Sequence, residues 1–169
     1  MTTLRKDRLL SRDLISVLVA QTCFGYSFSS FLLFPKFLAI ELAANPAQIG
    51  QVATANRFST MIGLLVSGVL VDRLGRRPFL MVGAVLMTLA SLSFFWVHEF
   101  GSLIFILRGC QGLAFGMAFA AGSALVVDLA PPQKLAQAIG YFGLTMLSTN
   151  ALAPLSVEAL ASVSGWRLA

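Results

Sequence analysis

Five long blocks of this chain carry almost no charge, and short polar breaks separate them. They run over about residues 14–38, 47–71, 78–97, 102–127 and 135–160. A bilayer core about 30 Å thick needs roughly 20 apolar residues at a helical rise of about 1.5 Å each. Each block is of that order. Residues of this kind make up 57% of the chain and charged ones only 11%, against about 25% charged in a soluble domain. Backbone groups inside lipid find no water to bond, so blocks of this length must be helices. The expected fold is an all-α membrane protein with five transmembrane helices.

The same pattern excludes other classes. A net charge of +5 could indicate a nucleic-acid partner, but the basic residues sit at the ends of apolar blocks and form no solvated basic face. Cys23 and Cys110 lie within apolar blocks and support neither a disulfide framework nor a zinc site. His98 is the single histidine. No catalytic residue, metal or cofactor is expected, and no enzyme activity. The first apolar block is longer than the roughly 7–15 residues of a signal-peptide core and leads directly into a second block.

The breaks fix the order of the spans. Glu41 ends the first, and Pro46 suits the first turn of the second. Asp72, Arg73, Arg76 and Arg77 stop the second around a turn at Gly75, and Pro78 is expected to open the third. His98 and Glu99 follow the third span, and Asp128 with Pro131 and Pro132 ends the fourth. The fifth fades before Ser164, Gly165, Trp166 and Arg167. Basic residues collect on alternate sides: Arg5, Lys6, Arg8 and Arg12 precede the first span, Arg73, Arg76 and Arg77 follow the second, and Lys134 follows the fourth. The opposite loops carry Glu41 and Glu99, with Lys36 at a helix end. The positive-inside rule therefore predicts a cytoplasmic amino-terminal segment, residues 1–13, and a five-span domain, residues 14–169, in a bacterial-type inner membrane. Leu168 and Ala169 read as the opening of a further apolar block.

The segment from Gly68 to Arg77 reads G-x-x-x-D-R-x-G-R-R, with Gly68, Asp72, Arg73, Gly75, Arg76 and Arg77 at the defining positions. It resembles the loop between the second and third helices of the major facilitator superfamily. Gly68 lacks a side chain and would let another helix approach. Asp72 at a helix end can meet a cation, Gly75 supplies turn freedom, and Arg76 offers a planar fork to carboxylates. The resemblance implies that this loop latches the two halves of the transporter together on the cytoplasmic side. Asp128 is the natural acidic partner for Arg76; the alternative is a plain interfacial cap.

Arg108-Gly-Cys-Gln111-Gly112 in the fourth span is similar to a second signature of that family, R-x-x-Q-G. Arg108 and Gln111 share a helical face, and Arg108 lies roughly 8–9 Å inside the outer boundary by helical rise. An arginine in a span costs about 2.5–3.5 kcal/mol on insertion scales. It is expected to face the bundle interior or a cavity; the rival reading is snorkelling to the surface. Gly112, Gly116 and Ala120 repeat every four residues as a small-residue seam. Arg57, roughly 12–15 Å deep in the second span, and the neutral Gln21, Tyr26 and Asn150 complete the candidate cavity group with Arg108, Gln111 and Gly112. The fifth span departs from the family's antiporter signature, with Ala153 before Pro154 where that signature has glycine.

The resemblance covers nearly the whole chain and implies one incomplete half of a two-half transporter, ending before its sixth helix, that moves a small solute by alternating access. Proton coupling is the usual energy source in the family and needs a buried carboxylate. The acidic residues here lie in loops or at helix ends, Glu158 near the outer interface included, so a proton carrier is expected in the other half. The implied partners are the lipid bilayer, an unidentified small solute, and a missing carboxyl-terminal half or a second chain. A half-transporter completed by another chain, and a non-transporting membrane interaction protein, are the alternatives.

Overall fold

A computed structural model of the chain describes residues 11–165. Arg5, Lys6 and Arg8, on which part of the orientation argument rests, and Leu168 and Ala169, read as the opening of a further apolar block, lie outside the described residues. The described residues form five helical rods. The first comprises α1 (Arg12–Ser30), one turn of 3-10 helix (Phe31–Leu33) and α2 (Phe34–Glu41). Then follow α3 (Pro46–Leu74), α4 (Arg76–Ser93, extended by a 3-10 turn over Phe94–Trp96), α5 (Ser102–Leu129) and α6 (Leu135–Ser164).

Local chemistry accounts for the ends. The Ser11 side chain accepts the Leu14 N–H and caps α1. Asn45 and Gln48 form a reciprocal capping box at α3, at 2.9 and 2.8 Å, with Pro46 in the first turn. Gly75 breaks α3 from α4 with φ of 88°, in the region that favours glycine. The first span is one rod, Arg12–Glu41, with a tighter turn inside it: Pro35 has no N–H for the Phe31 carbonyl, which the Phe34 N–H takes instead. One boundary is corrected. The third helix starts at Arg76, ahead of Pro78, because the missing N–H of a proline costs nothing in a first turn.

Among the described residues four rods are long and apolar enough to cross a membrane: Arg12–Glu41, Pro46–Leu74, Arg76–Trp96 and Ser102–Leu129. The fifth, α6, is as long at 30 residues but carries Gln137, Thr145, Thr149, Asn150, Ser156 and Glu158. Large apolar side chains such as Leu65, Val69, Met81, Val85, Ile106 and Leu147 are exposed on the outside of the bundle, as lipid-facing residues would be.

At the centre is α5, packed most extensively on α3 and α4 and touching α1 and α6. The α3–α5 crossing is closed by glycine. A Cβ at Gly112 would lie 2.3 Å from the Asn56 carbonyl oxygen, one at Gly116 2.5 Å from that of Thr60, and one at Gly63 2.8 Å from that of Leu113. The α4–α5 contact is nearly as tight, with a Cβ at Gly83 falling 3.0 Å from the Ala114 carbonyl oxygen. Helices in lipid gain little from hiding apolar surface from one another, so close backbone approach through small residues supplies the attraction.

Gly112→Val should therefore separate α3 from α5 and cost about 3 kcal/mol or more, read as a lower thermal midpoint of the detergent-solubilised protein. Gly143→Ala, where nothing lies within 4 Å, should leave the midpoint nearly unchanged. Equal midpoints for the two variants would contradict the crossing.

Candidate functional site

At one end of the bundle the α3–α4 turn meets the end of α5. Arg76, the first residue of α4, lies between two carboxylates. Its Nη2 donates to Asp128 Oδ1 at 3.1 Å and lies 3.6 Å from Asp72 Oδ1. Its Nε is 2.5 Å from Asp128 Oδ2, a charge contact whose N–H is not aligned for a hydrogen bond. Gly75 makes this possible by turning the chain so that α4 starts with Arg76 against α5. Arg73 and Arg77 are exposed, and their side chains make no ion pair among the described residues. At Gly68 nothing among the described residues lies within 4 Å of a Cβ built there. Its open face is turned to none of these five rods.

Arg108 is 8% exposed and does not snorkel. Its Nη1 donates to Gln111 Oε1 at 2.8 Å, and its guanidinium lies 5.1 and 5.7 Å from the ring centres of Phe34 and Phe31. Those rings flank the 3-10 turn of the first rod, so the proline-induced break brings aromatic faces against the cation. Gln111 is fully buried and donates through Nε2 to Ser91 Oγ of α4 at 3.0 Å. Asn56 of α3 donates through Nδ2 to the Arg108 carbonyl at 2.8 Å. One network thus ties α3, α4 and α5 beneath the broken first rod. Arg108 Nε is buried with no hydrogen-bond partner, and no carboxylate lies at ion-pair distance from Arg108 among the described residues. The cation is balanced by an amide and two ring faces.

The other cavity candidates separate. Gly112 is no lining residue, since the backbone of α3 fills the space where a side chain would stand. Gln21 is buried between α1 and α6, its Nε2 3.1 Å from Met146 Sδ. Tyr26 and Asn150 are exposed along the same α1–α6 seam. Tyr26 Oη is 2.5 Å from Ser156 Oγ, and Ser29 Oγ donates to Asn150 Oδ1 at 2.6 Å. Arg57 is exposed on α3. Sequence reasoning missed Asn56, Ser91, Ser29 and Ser156, all polar residues inside apolar blocks. That position was itself a signal. It also missed the ion pair of Lys36 with Glu158, which joins α2 to α6.

Rods of membrane length, an ion-paired loop at one end and a buried arginine network define a multi-pass membrane protein. The Major Facilitator Superfamily model matches residues 15–169. The purine ribonucleoside efflux pumps NepI of Escherichia coli (strain K12) and Shigella flexneri are each 31% identical to the chain over 145 residues, covering 80% of it and 36% of the pump. The same protein of Shigella sonnei matches over the same extent. The chain spans about a third of the length of the curated relatives it matches. It belongs to the major facilitator superfamily, a family of transporters, and its rods are five transmembrane helices of that family's six-helix half-bundle.

Exposed ion pairs contribute about 0.2–1 kcal/mol, and the Arg76 and Asp128 side chains are 29% and 43% exposed. Arg76→Ala, Asp128→Ala and the double variant should show a coupling in that range by thermal unfolding, reduced at high salt. Additive effects would contradict the pairing.

Proposed function

We propose that this chain forms five helices of the amino-terminal half of a secondary transporter that exports a small, purine-ribonucleoside-like solute by alternating access. The observation that carries this reading is the match to purine ribonucleoside efflux pumps, which extends through the spanning helices and not only the loop motif. Residues 1–13 form a cytoplasmic segment and residues 14–169 the membrane domain, in the inner membrane. That orientation follows the basic residues, with Arg76, Arg77 and Lys134 at one end and Glu41 and Glu99 at the other.

In this reading the Asp72–Arg76–Asp128 cluster with Arg73, Gly75 and Arg77 is the cytoplasmic gate, and the open backbone at Gly68 is the place where the other half closes on it. Arg108 and Gln111 act from behind the cavity wall, holding the break of the first rod in position through Phe31 and Phe34. The half rocks as one body because the glycine crossing and the Arg108 network bind its helices together. Export is driven by protons, and the carboxylate that carries them belongs to the other half. The described acidic side chains are exposed or ion-paired.

Everted vesicles containing the transporter should accumulate labelled purine ribonucleosides (adenosine, guanosine or inosine) when a proton gradient is imposed, and a protonophore should collapse the accumulation. Accumulation indifferent to the protonophore would remove the coupling, and none at all would remove the substrate class.

In the same vesicles Arg108→Ala should abolish uptake at normal membrane levels of the protein, and Arg108→Lys should restore little, because a compact ammonium cannot face Gln111 and two rings at once. Full uptake by Arg108→Ala would sink the positioning role.

A further inference from the structure

Tyr26 is the fifteenth of the 30 residues of the Arg12–Glu41 rod, and Asn150 the sixteenth of the 30 residues of α6. Both therefore sit at mid-depth of their spans, and both are exposed. Polar side chains at that depth are costly against lipid and mark water-filled pathways or protein contacts. Secondary transporters place their substrate sites near the midplane. The two residues are joined to one another's helices: Tyr26 to Ser156 of α6, and Asn150 to Ser29 of α1. Tyr26 and Ser29 are three residues apart and so share a face of α1, and Asn150 and Ser156 stand about 9 Å apart along α6 by helical rise, so the two pairs lie along one stretch of the same seam.

We propose that Tyr26 and Asn150 form a hydroxyl-recognising subsite that grips two hydroxyls of the solute's sugar. The inventory of protons supports it. Ser156 Oγ donates to the Ala153 carbonyl at 2.7 Å, so in its contact with Tyr26 the phenol is the donor, and the Tyr26 oxygen keeps its lone pairs to accept. Ser29 donates to Asn150 Oδ1, which leaves Asn150 Nδ2 as a donor with no acceptor among the described residues. Pro154 has no N–H for the Asn150 carbonyl, so a second acceptor lies at the same residue. The neighbouring hydroxyls of Thr22, Ser27 and Ser30 are turned back to carbonyls of their own helix, at 2.8, 3.2 and 2.9 Å.

An open donor and an open acceptor spaced along one seam complement a polyhydroxyl sugar, each hydroxyl of which donates and accepts. The seam carries no net charge here. The ion pair of Lys36 with Glu158 lies farther along both helices. The subsite thus suits a neutral sugar, not a phosphate. Anchoring between α1 and α6 also holds both groups in place before the ligand arrives, which reduces the ordering cost of binding.

This rests on the ribonucleoside reading above, and the test separates the two. Uptake into everted vesicles is measured with a purine ribonucleoside and with its 2′,3′-dideoxy analogue. A site built to bond a hydroxyl rejects the analogue lacking it, so the unmodified transporter should prefer the ribonucleoside by about tenfold or more. Tyr26→Phe and Asn150→Ala should each bring the ratio of the two uptakes down toward one, by about three- to tenfold per lost hydrogen bond. Equal uptake of both compounds by the unmodified transporter overturns the subsite and leaves nucleoside export standing. Uptake of neither removes both readings. Variants that lose both uptakes in proportion, with the ratio kept, assign Tyr26 and Asn150 a structural role and also overturn the subsite.

Discussion

The contact on which the other features rest is the crossing of α3 and α5. Three glycines, Gly63, Gly112 and Gly116, let the two backbones approach until no methyl group fits between them. In lipid there is no hydrophobic gain in pressing two apolar helices together, so contact area at short range is the available source of cohesion. Once α3 is held at that distance, the Asn56 side chain reaches the Arg108 carbonyl. Gly83 in turn lets α4 approach α5 closely, and Ser91 of α4 can then meet Gln111. The polar network is a consequence of the close packing.

That network explains how a buried arginine is tolerated. A guanidinium out of water needs acceptors or a π-face, and Arg108 has one amide oxygen and two phenylalanine rings. The rings come from the one place where the first rod departs from regular helix. Pro35 forces the tighter turn, the turn presents Phe31 and Phe34, and the cation settles against them. Two irregular features of the fold, a helix break and a buried charge, are thereby one feature. The α1–α6 seam is of another kind. It is held by side-chain hydrogen bonds and one exposed ion pair, with Tyr26 and Asn150 exposed along it.

Much of this was legible in the chain. Pro46, Gly75 and the Pro131–Pro132 pair marked the breaks because each acts through its own backbone. The three-residue spacing of Arg108 and Gln111 placed them together because helical geometry is local. What tertiary packing decides was not legible. Ser91 and Asn56 reach Arg108 and Gln111 from other helices, and no spacing along one helix reports that. Gly112 could have lined a cavity or a seam, and only the position of α3 decides for the seam. Pro35 lay in plain view within an apolar block, but the block is equally apolar on both sides, so its period gave no sign of a break. Gly68 faces open space because none of these five rods packs against it.

The central claim is that α3 and α5 cross at backbone contact and so set the frame for Arg108. A Cβ at Gly109 would lie 3.3 Å from Ser59 Oγ, which is within reach of a disulfide between cysteines at the two positions. The direct measurement replaces Cys23 and Cys110 by serine, introduces Ser59→Cys and Gly109→Cys, and places a protease site in the loop between α4 and α5. After mild oxidation in the membrane and cleavage, the two fragments should stay joined without reductant and separate with it. Fragments that separate without reductant, with both thiols still free, would contradict the crossing and with it the placement of Arg108.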